Sequence, residues 1–133
     1  MVLAAEEKVR WRARPAHHRI VHELRRACER ADTARLTSLL QRDIAVVVDA
    51  GDDSHPTIRM VRGMSDAVPL LLHGMGPGAH IDIEERTVNG QAGLLLHRGD
   101  VTIAVVGIDV TSRLISAVWI LLNPEPLRRG NHT

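Results

Sequence analysis

Tyrosine and phenylalanine are absent, and Trp11 and Trp119 make up the whole aromatic content, 2% of 133 residues. Without tyrosine, no mechanism here can use a phenol as an acid or as an oxyanion donor. Two scattered tryptophans also leave no platform on which successive bases of a single-stranded nucleic acid could stack. The single cysteine, Cys28, excludes an internal disulfide framework and any multi-cysteine zinc site. No apolar run reaches the roughly 18 residues that a membrane span requires. The charged start, Met1 to Arg14, is unlike a signal peptide. A cytoplasmic protein with no membrane partner is the expectation.

What is present suits one soluble domain. Hydrophobic residues make up 44% and charged residues 25%, enough for a core without metal or disulfide staples. The net charge of +1 hides an asymmetry, because residues 1–30 carry a net +4 and the remainder a net −3. A basic end can touch phosphate. Here, however, Lys8, Arg10, Arg12 and Arg14 stand before Pro15 with no apolar period among them. They read as a solvated tail or linker over 1–14, ahead of a domain over 15–127 and a short tail over 128–133. Direct nucleic-acid binding is not expected.

The apolar spacing predicts a helix from Pro15, with Ile20, Val21, Leu24, Ala27, Cys28 and Ala31 on one stripe. Asp32 or Thr33 caps a second helix with Leu36, Leu39 and Leu40 inside. Residues 44–50 read as a β-branched strand, 51–57 as a turn, and 58–62 as a short returning strand. Ser65 and Asp66 open a third helix that ends near Gly74. Four strands follow, over 80–88, 92–98, 101–110 and 113–123, with turns at Asn89-Gly90, Gly99-Asp100 and Thr111-Ser112. The order α-α-β-β-α-β-β-β-β predicts an α+β domain with helices on one side of a curved antiparallel sheet. Both alternating faces of 101–110 and 113–123 are largely apolar, whereas a sheet with one wet face alternates. A homodimer through the uncovered sheet face is therefore expected.

Several strings, in order, resemble a known family. They are ACERADTARLTSLL (27–40), VVVDAGDD (46–53), IRMVRG (58–63), VNGQAGLLL (88–96), VGIDVTSRLISAVW (106–119) and LNPEPL (122–127). Together they resemble the SnoaL-like branch of the nuclear-transport-factor-two-like superfamily, a cone-shaped cystatin-like fold. Within it, the chain is similar to the C-terminal domain of J-type extracytoplasmic-function RNA polymerase sigma factors. The family tends to show Gly-Asp before the second helix and a glycine-rich turn after the first strand. This chain has Ala31-Asp32 and Asp49-Ala50-Gly51-Asp52 there. Nothing in it resembles a promoter-melting helix set or a helix-turn-helix.

The resemblance implies a sensing or regulatory domain that modulates transcription through protein contacts. RNA polymerase or sigma-factor regions are the implied partners, and a small hydrophobic molecule could enter the cone. Val47, Asp49, Met60 and Trp119 are the candidate ligand-binding residues. The alternative is a small isomerase, cyclase or epoxide hydrolase acting on a hydrophobic metabolite. Asp49 would then be the general base, its pKa raised by Val46, Val47 and Val48, with His97 or Asp109 assisting. The competing readings are structural: Asp49 capping its turn, Asp109 serving the next turn, His97 a satisfied strand-end histidine, and Trp119 a core or pocket wall. Arg59 and Arg62 are expected to anchor the loop beneath the third helix through salt bridges. His18 and His22 share a helix face but lack the adjacent glutamate of zinc hydrolases. No metal and no cofactor is expected.

Overall fold

The helical stripe at Val21, Leu24, Ala27 and Cys28 is fully buried, and it sets the orientation of the first helix on the sheet. The computed structural model describes the backbone of residues 2–50, 57–88 and 90–128, and the side chains of those from 16 to 122. Helix α1 spans Val2–Glu29, so it begins well before the expected start at Pro15. It ends in a Schellman-type closure, with the Asp32 N–H on the Ala27 carbonyl (2.9 Å) and the Ala31 N–H on that of Cys28 (3.1 Å). Ala31 takes the left-handed conformation there (φ 52°), a position that favours glycine. Asp32 then caps α2 (Thr33–Leu39), its carboxylate accepting from the Arg35 N–H at 3.0 Å. The Arg35 guanidinium returns to Glu23 of α1 through Nε (3.1 Å) and Nη2 (2.9 Å).

Strand β1 is Leu40–Asp49, so Leu40 opens the strand instead of closing the helix. Its partner β2 is Ile58–Arg62. The turn expected over 51–57 lies outside the described residues apart from Thr57, whose carbonyl accepts from the Ala50 N–H (2.9 Å). Helix α3 (Met64–Met75) starts two residues before Asp66, because the Gly63 carbonyl already accepts from the Ala67 N–H. Pro69 sits inside it. Both Pro69 and Ser65 are exposed, so the carbonyl that loses its donor faces water.

The meander follows as β3 (Asp82–Val88), β4 (Gln91–Arg98), β5 (Val101–Thr111) and β6 (Leu114–Arg128). Val88 pairs with Gln91 around the expected turn, where Gly90 has φ 81°; Asn89 lies outside the described residues. The β5–β6 turn falls on Ser112 and Arg113, one residue later than expected. Both have positive φ (52° and 68°), as a two-residue turn matching the strand twist requires.

The six strands lie in the order β2-β1-β6-β5-β4-β3. The sheet is curved and mostly antiparallel, as expected, and β1 runs parallel to β6. Register decides which face each residue serves. Val46 pairs with Val61 and Val118, and Val118 with Ile108. That row joins Leu24, Leu36, Leu71 and Met75 of the helices in one buried cluster. Each fully buried large aliphatic contributes about 1.5–3 kcal/mol. Alternate residues such as Val47, Trp119 and Gly107 point to the opposite face. Among the described residues, no helix is long and apolar enough to cross a membrane.

Replacing Ala31 by glycine removes the left-handed penalty of about 1–2 kcal/mol, less the entropic cost of glycine. Ala31→Gly should therefore raise stability by up to about 1 kcal/mol. A thermal melt of the two proteins checks this, and an unchanged or lowered midpoint would contradict it.

Candidate functional site

The interior of the cone, where a ligand was expected, is filled among the described residues by Leu24, Leu36, Ile44, Leu71, Leu94 and Ile115, all fully buried. Among the described residues, space opens towards one end of the sheet. There a groove of about 1160 Å³ separates Ala16, His17 and Ile20 of α1 from the β3–β4 and β5–β6 hairpins. His17 reaches across it and donates from Nε2 to the Ile108 carbonyl at 2.8 Å. Thr87, Gln91, Asp109, Arg113 and Ser116 also line it, giving a mixed polar surface unlike the apolar pocket expected.

Behind the groove, α1 is clamped to β3 by Glu85. Its Oε2 accepts from His22 Nδ1 (2.7 Å) and from Arg25 Nη1 (3.1 Å). Burial alone would raise the Glu85 pKa, but the hydrogen bonds from His22 and Arg25 outweigh it and hold the carboxyl below its usual range.

The sequence-predicted residues separate into two places, neither of them the groove's centre. Val47 pairs with Met60 on one side and Trp119 on the other, and Asp49 lies two residues along the same strand face. The proposed ligand-binding set is thus brought together, but on the sheet face turned away from the helices. This corrects the expectation that Asp49 sits against aliphatic pocket walls: Val46 and Val48 point inward and Asp49 outward, because strand neighbours alternate. Met60 and Trp119 are more than half exposed, so Trp119 is neither a core residue nor a wall of the cone. Asp109, which also borders the groove at the end of β5, turns its Oδ2 to this face and accepts from Trp119 Nε1 at 3.2 Å. Arg59 and Arg62 are exposed and make no ion pair among the described residues. The expected salt-bridge anchor is therefore corrected, and Arg62 instead lies 3.9 Å from the Met60 sulfur.

His97 stands apart, three strands and about 14 Å from Asp49 by strand spacing. It is 1% exposed. Its Nε2 bonds Glu84 Oε1 at 2.7 Å and its Nδ1 bonds Thr102 Oγ1 at 3.0 Å. An ionised carboxylate can only accept, so Nε2 carries the hydrogen. Nδ1 and the Thr102 hydroxyl share the second bond. The arrangement matches the satisfied strand-end histidine among the readings of the sequence. It sits where the β4–β5 register shifts, between Leu96 and His97. Composition gave no sign of its partners, since Glu84 and Thr102 reach it only through strand pairing. The His97 bond and, after it, Arg86 hold the Glu84 carboxyl below its usual range. Asp49, His97 and Asp109 do not converge on one point. Among the described residues, no three His, Cys, Asp or Glu side chains form a metal-binding group.

No protein-family model and no curated protein matches the chain. Solved structures do. The extracytoplasmic function sigma factor SigJ of Mycobacterium tuberculosis is similar, with 26% identity and a TM-score of 0.62, covering 91% of this chain and 49% of that one. The chain thus spans about half the length of that sigma factor. An NTF2-like protein of Burkholderia xenovorans matches with 16% identity and a TM-score of 0.56, covering 82% and 90%. The fold is that of the SnoaL-like, NTF2-like domains. Another such structure is an LEH-like epoxide hydrolase of M. tuberculosis, with 14% identity and a TM-score of 0.52, covering 82% and 84%. SnoaL-like and NTF2-like neighbours therefore include both a transcription factor and an enzyme.

Two predictions follow from the ionisable groups. Burial, and then the neighbouring Glu29 charge, pushes the Cys28 thiol up to about 12. At pH 8 it should react with a thiol reagent only on unfolding, so prompt labelling of the native chain would contradict its burial. Glu84 and Glu85 have depressed folded pKa values, so their stabilisation is complete above the unfolded value of about 4.3. It is lost as pH falls through the folded values. Unfolding free energy should therefore decline below about pH 5, and Glu84→Gln with Glu85→Gln should flatten that decline in denaturant titrations.

Proposed function

We propose that the chain is a SnoaL-like regulatory domain of sigma-factor type, modulating transcription through contacts with RNA polymerase or sigma-factor regions. The observation that carries this reading is the 26% identity to half of a sigma factor over 91% of this chain, beyond the likeness of fold alone. A small molecule that modulates it would enter by the groove beside His17, since the described core is closed by aliphatic side chains. The enzyme alternative, an isomerase, cyclase or epoxide hydrolase with Asp49 as base, has weaker support. Asp49 is on the face away from the groove, and His97 is engaged by Glu84 and Thr102.

The test is interferometry of the purified chain against immobilised RNA polymerase core and against the promoter-binding regions of the sigma factor it resembles. Binding in the micromolar range, usual for transient regulatory contacts, is the expected result. Absence of binding to both, with turnover of an epoxide or enone panel that Asp49→Asn abolishes, would establish the enzyme instead.

A further inference from the structure

Because α1 runs unbroken through Pro15, its basic residues fall into phase. At about 100° per residue, Arg26 and Arg30 lie within about 20° of Arg19 round the helix. All three are exposed, and none makes a side-chain hydrogen bond or ion pair among the described residues. The carboxylates that flank them on α1 are drawn elsewhere. Glu29 accepts from Arg25 Nε at 3.3 Å. Glu23 is near enough to Arg26 to feel its charge, but its hydrogen bonds go to Arg35. The buried Val21, Leu24 and Cys28 lie about 140–200° round the helix, so the stripe faces directly away from the sheet. The same line passes through positions 8 and 12, which are Lys8 and Arg12 in the sequence.

We propose that this stripe is a sequence-independent contact for the phosphate backbone of duplex DNA. An arginine fork meets a phosphate through two parallel hydrogen bonds. From Arg19 to Arg30 the helix rises about 17 Å, and from Lys8 to Arg30 about 33 Å, close to one turn of duplex. The expectation of no nucleic-acid contact treated residues 8–14 as a solvated tail. In a continuous helix their positions extend the stripe instead. Residues 31–133 carry a net −3, so the cationic helix is set apart from the rest of the domain and orients its approach to a polyanion.

Other anionic occupants fit the stripe less well. Its exposed neighbours are His18, His22 and Glu29, with no large apolar side chain among them. A protein partner needs an apolar centre to desolvate, and a helix lying on a membrane needs an apolar face to insert. The apolar face of α1 is already committed to the core. A single strand would call for stacking, and the described side chains of α1 include no aromatic residue. Interfaces with duplex DNA, in contrast, are polar and strongly cationic, and their affinity comes from counterion release.

Fluorescence anisotropy of a labelled duplex of arbitrary sequence, about 30 base pairs long, tests the contact. At neutral pH and about 50 mM salt the chain should bind with a micromolar Kd. Affinity should fall with salt along a log–log slope between about −2.7 and −4.5, as three to five released counterions require. Arg19→Gln, Arg26→Gln and Arg30→Gln together should weaken binding by about tenfold or more and flatten the slope by about 2.7. Arg42→Gln, Arg59→Gln and Arg62→Gln together remove the same charge from exposed positions on β1 and β2. That variant should change affinity by less than about threefold. Circular dichroism melts confirm that both triple variants fold. No binding at about 100 µM protein would overturn the proposal. So would equal losses from the two variants, which would reduce the effect to net charge. Tighter binding to poly-glutamate than to the duplex would also overturn it and make an acidic protein surface the occupant. Failure here leaves the regulatory reading standing, because polymerase or sigma-factor binding is measured separately.

Discussion

The parallel pairing of β1 with β6 is the constraint on which the rest of this structure depends. It joins the β1–β2 hairpin to the meander and makes one sheet of six strands. It also sets parity. With Val46 opposite Val118 and Val118 opposite Ile108, these three point at the helices, and Val47, Trp119 and Gly107 must point away. A slip of one residue would exchange the two sets. Burial of the first set against α1, α2 and α3 therefore selects the register, and the composition of the second face follows from it.

Polar contacts refine this arrangement. Glu85 is among the few inward-facing charges on the sheet, and it is tolerated because His22 and Arg25 meet it from α1. The clamp fixes where the helix lies on β3, and the groove begins beyond it, where His17 bridges to the Ile108 carbonyl. His97, Glu84 and Thr102 form a second cluster at the register shift between β4 and β5. An unsatisfied imidazole at that depth would cost about 1–3 kcal/mol. Its two partners make the shift a stable feature of the sheet. Neither cluster lies beside Asp49, so the carboxylate most suggestive of catalysis is separate from the histidine that was to assist it.

Similarity to solved structures has two grades here. Structures of 14% and 16% identity share the fold and carry nothing finer, since NTF2-like scaffolds host unrelated activities. The sigma factor at 26% identity goes further, but it is about twice as long as the matched region.

Much of the fold was legible in the sequence because its signals are local. The stripe Val21–Leu24–Cys28 has helical period, Asp32 caps, Val88 and Gln91 flank a two-residue turn, and β-branched runs mark strands. Apolar residues on both faces of 101–110 and 113–123 likewise announced an uncovered sheet face. Local signals also set the errors: Pro15 suggested a helix start that the chain passes through, and Leu40 fits either a helix end or a strand start. What the sequence could not contain was which strands would be neighbours. The β1–β6 pairing joins segments some 70 residues apart, and only collapse around a shared core selects it. That pairing set Val47 beside Trp119 and Asp49 beside Leu121, outside the cone, while the β3–β4 and β4–β5 registers brought Glu84 and Thr102 to His97. Residue types were written locally, but proximity across a sheet depends on register, and register is decided by the burial of the whole face at once.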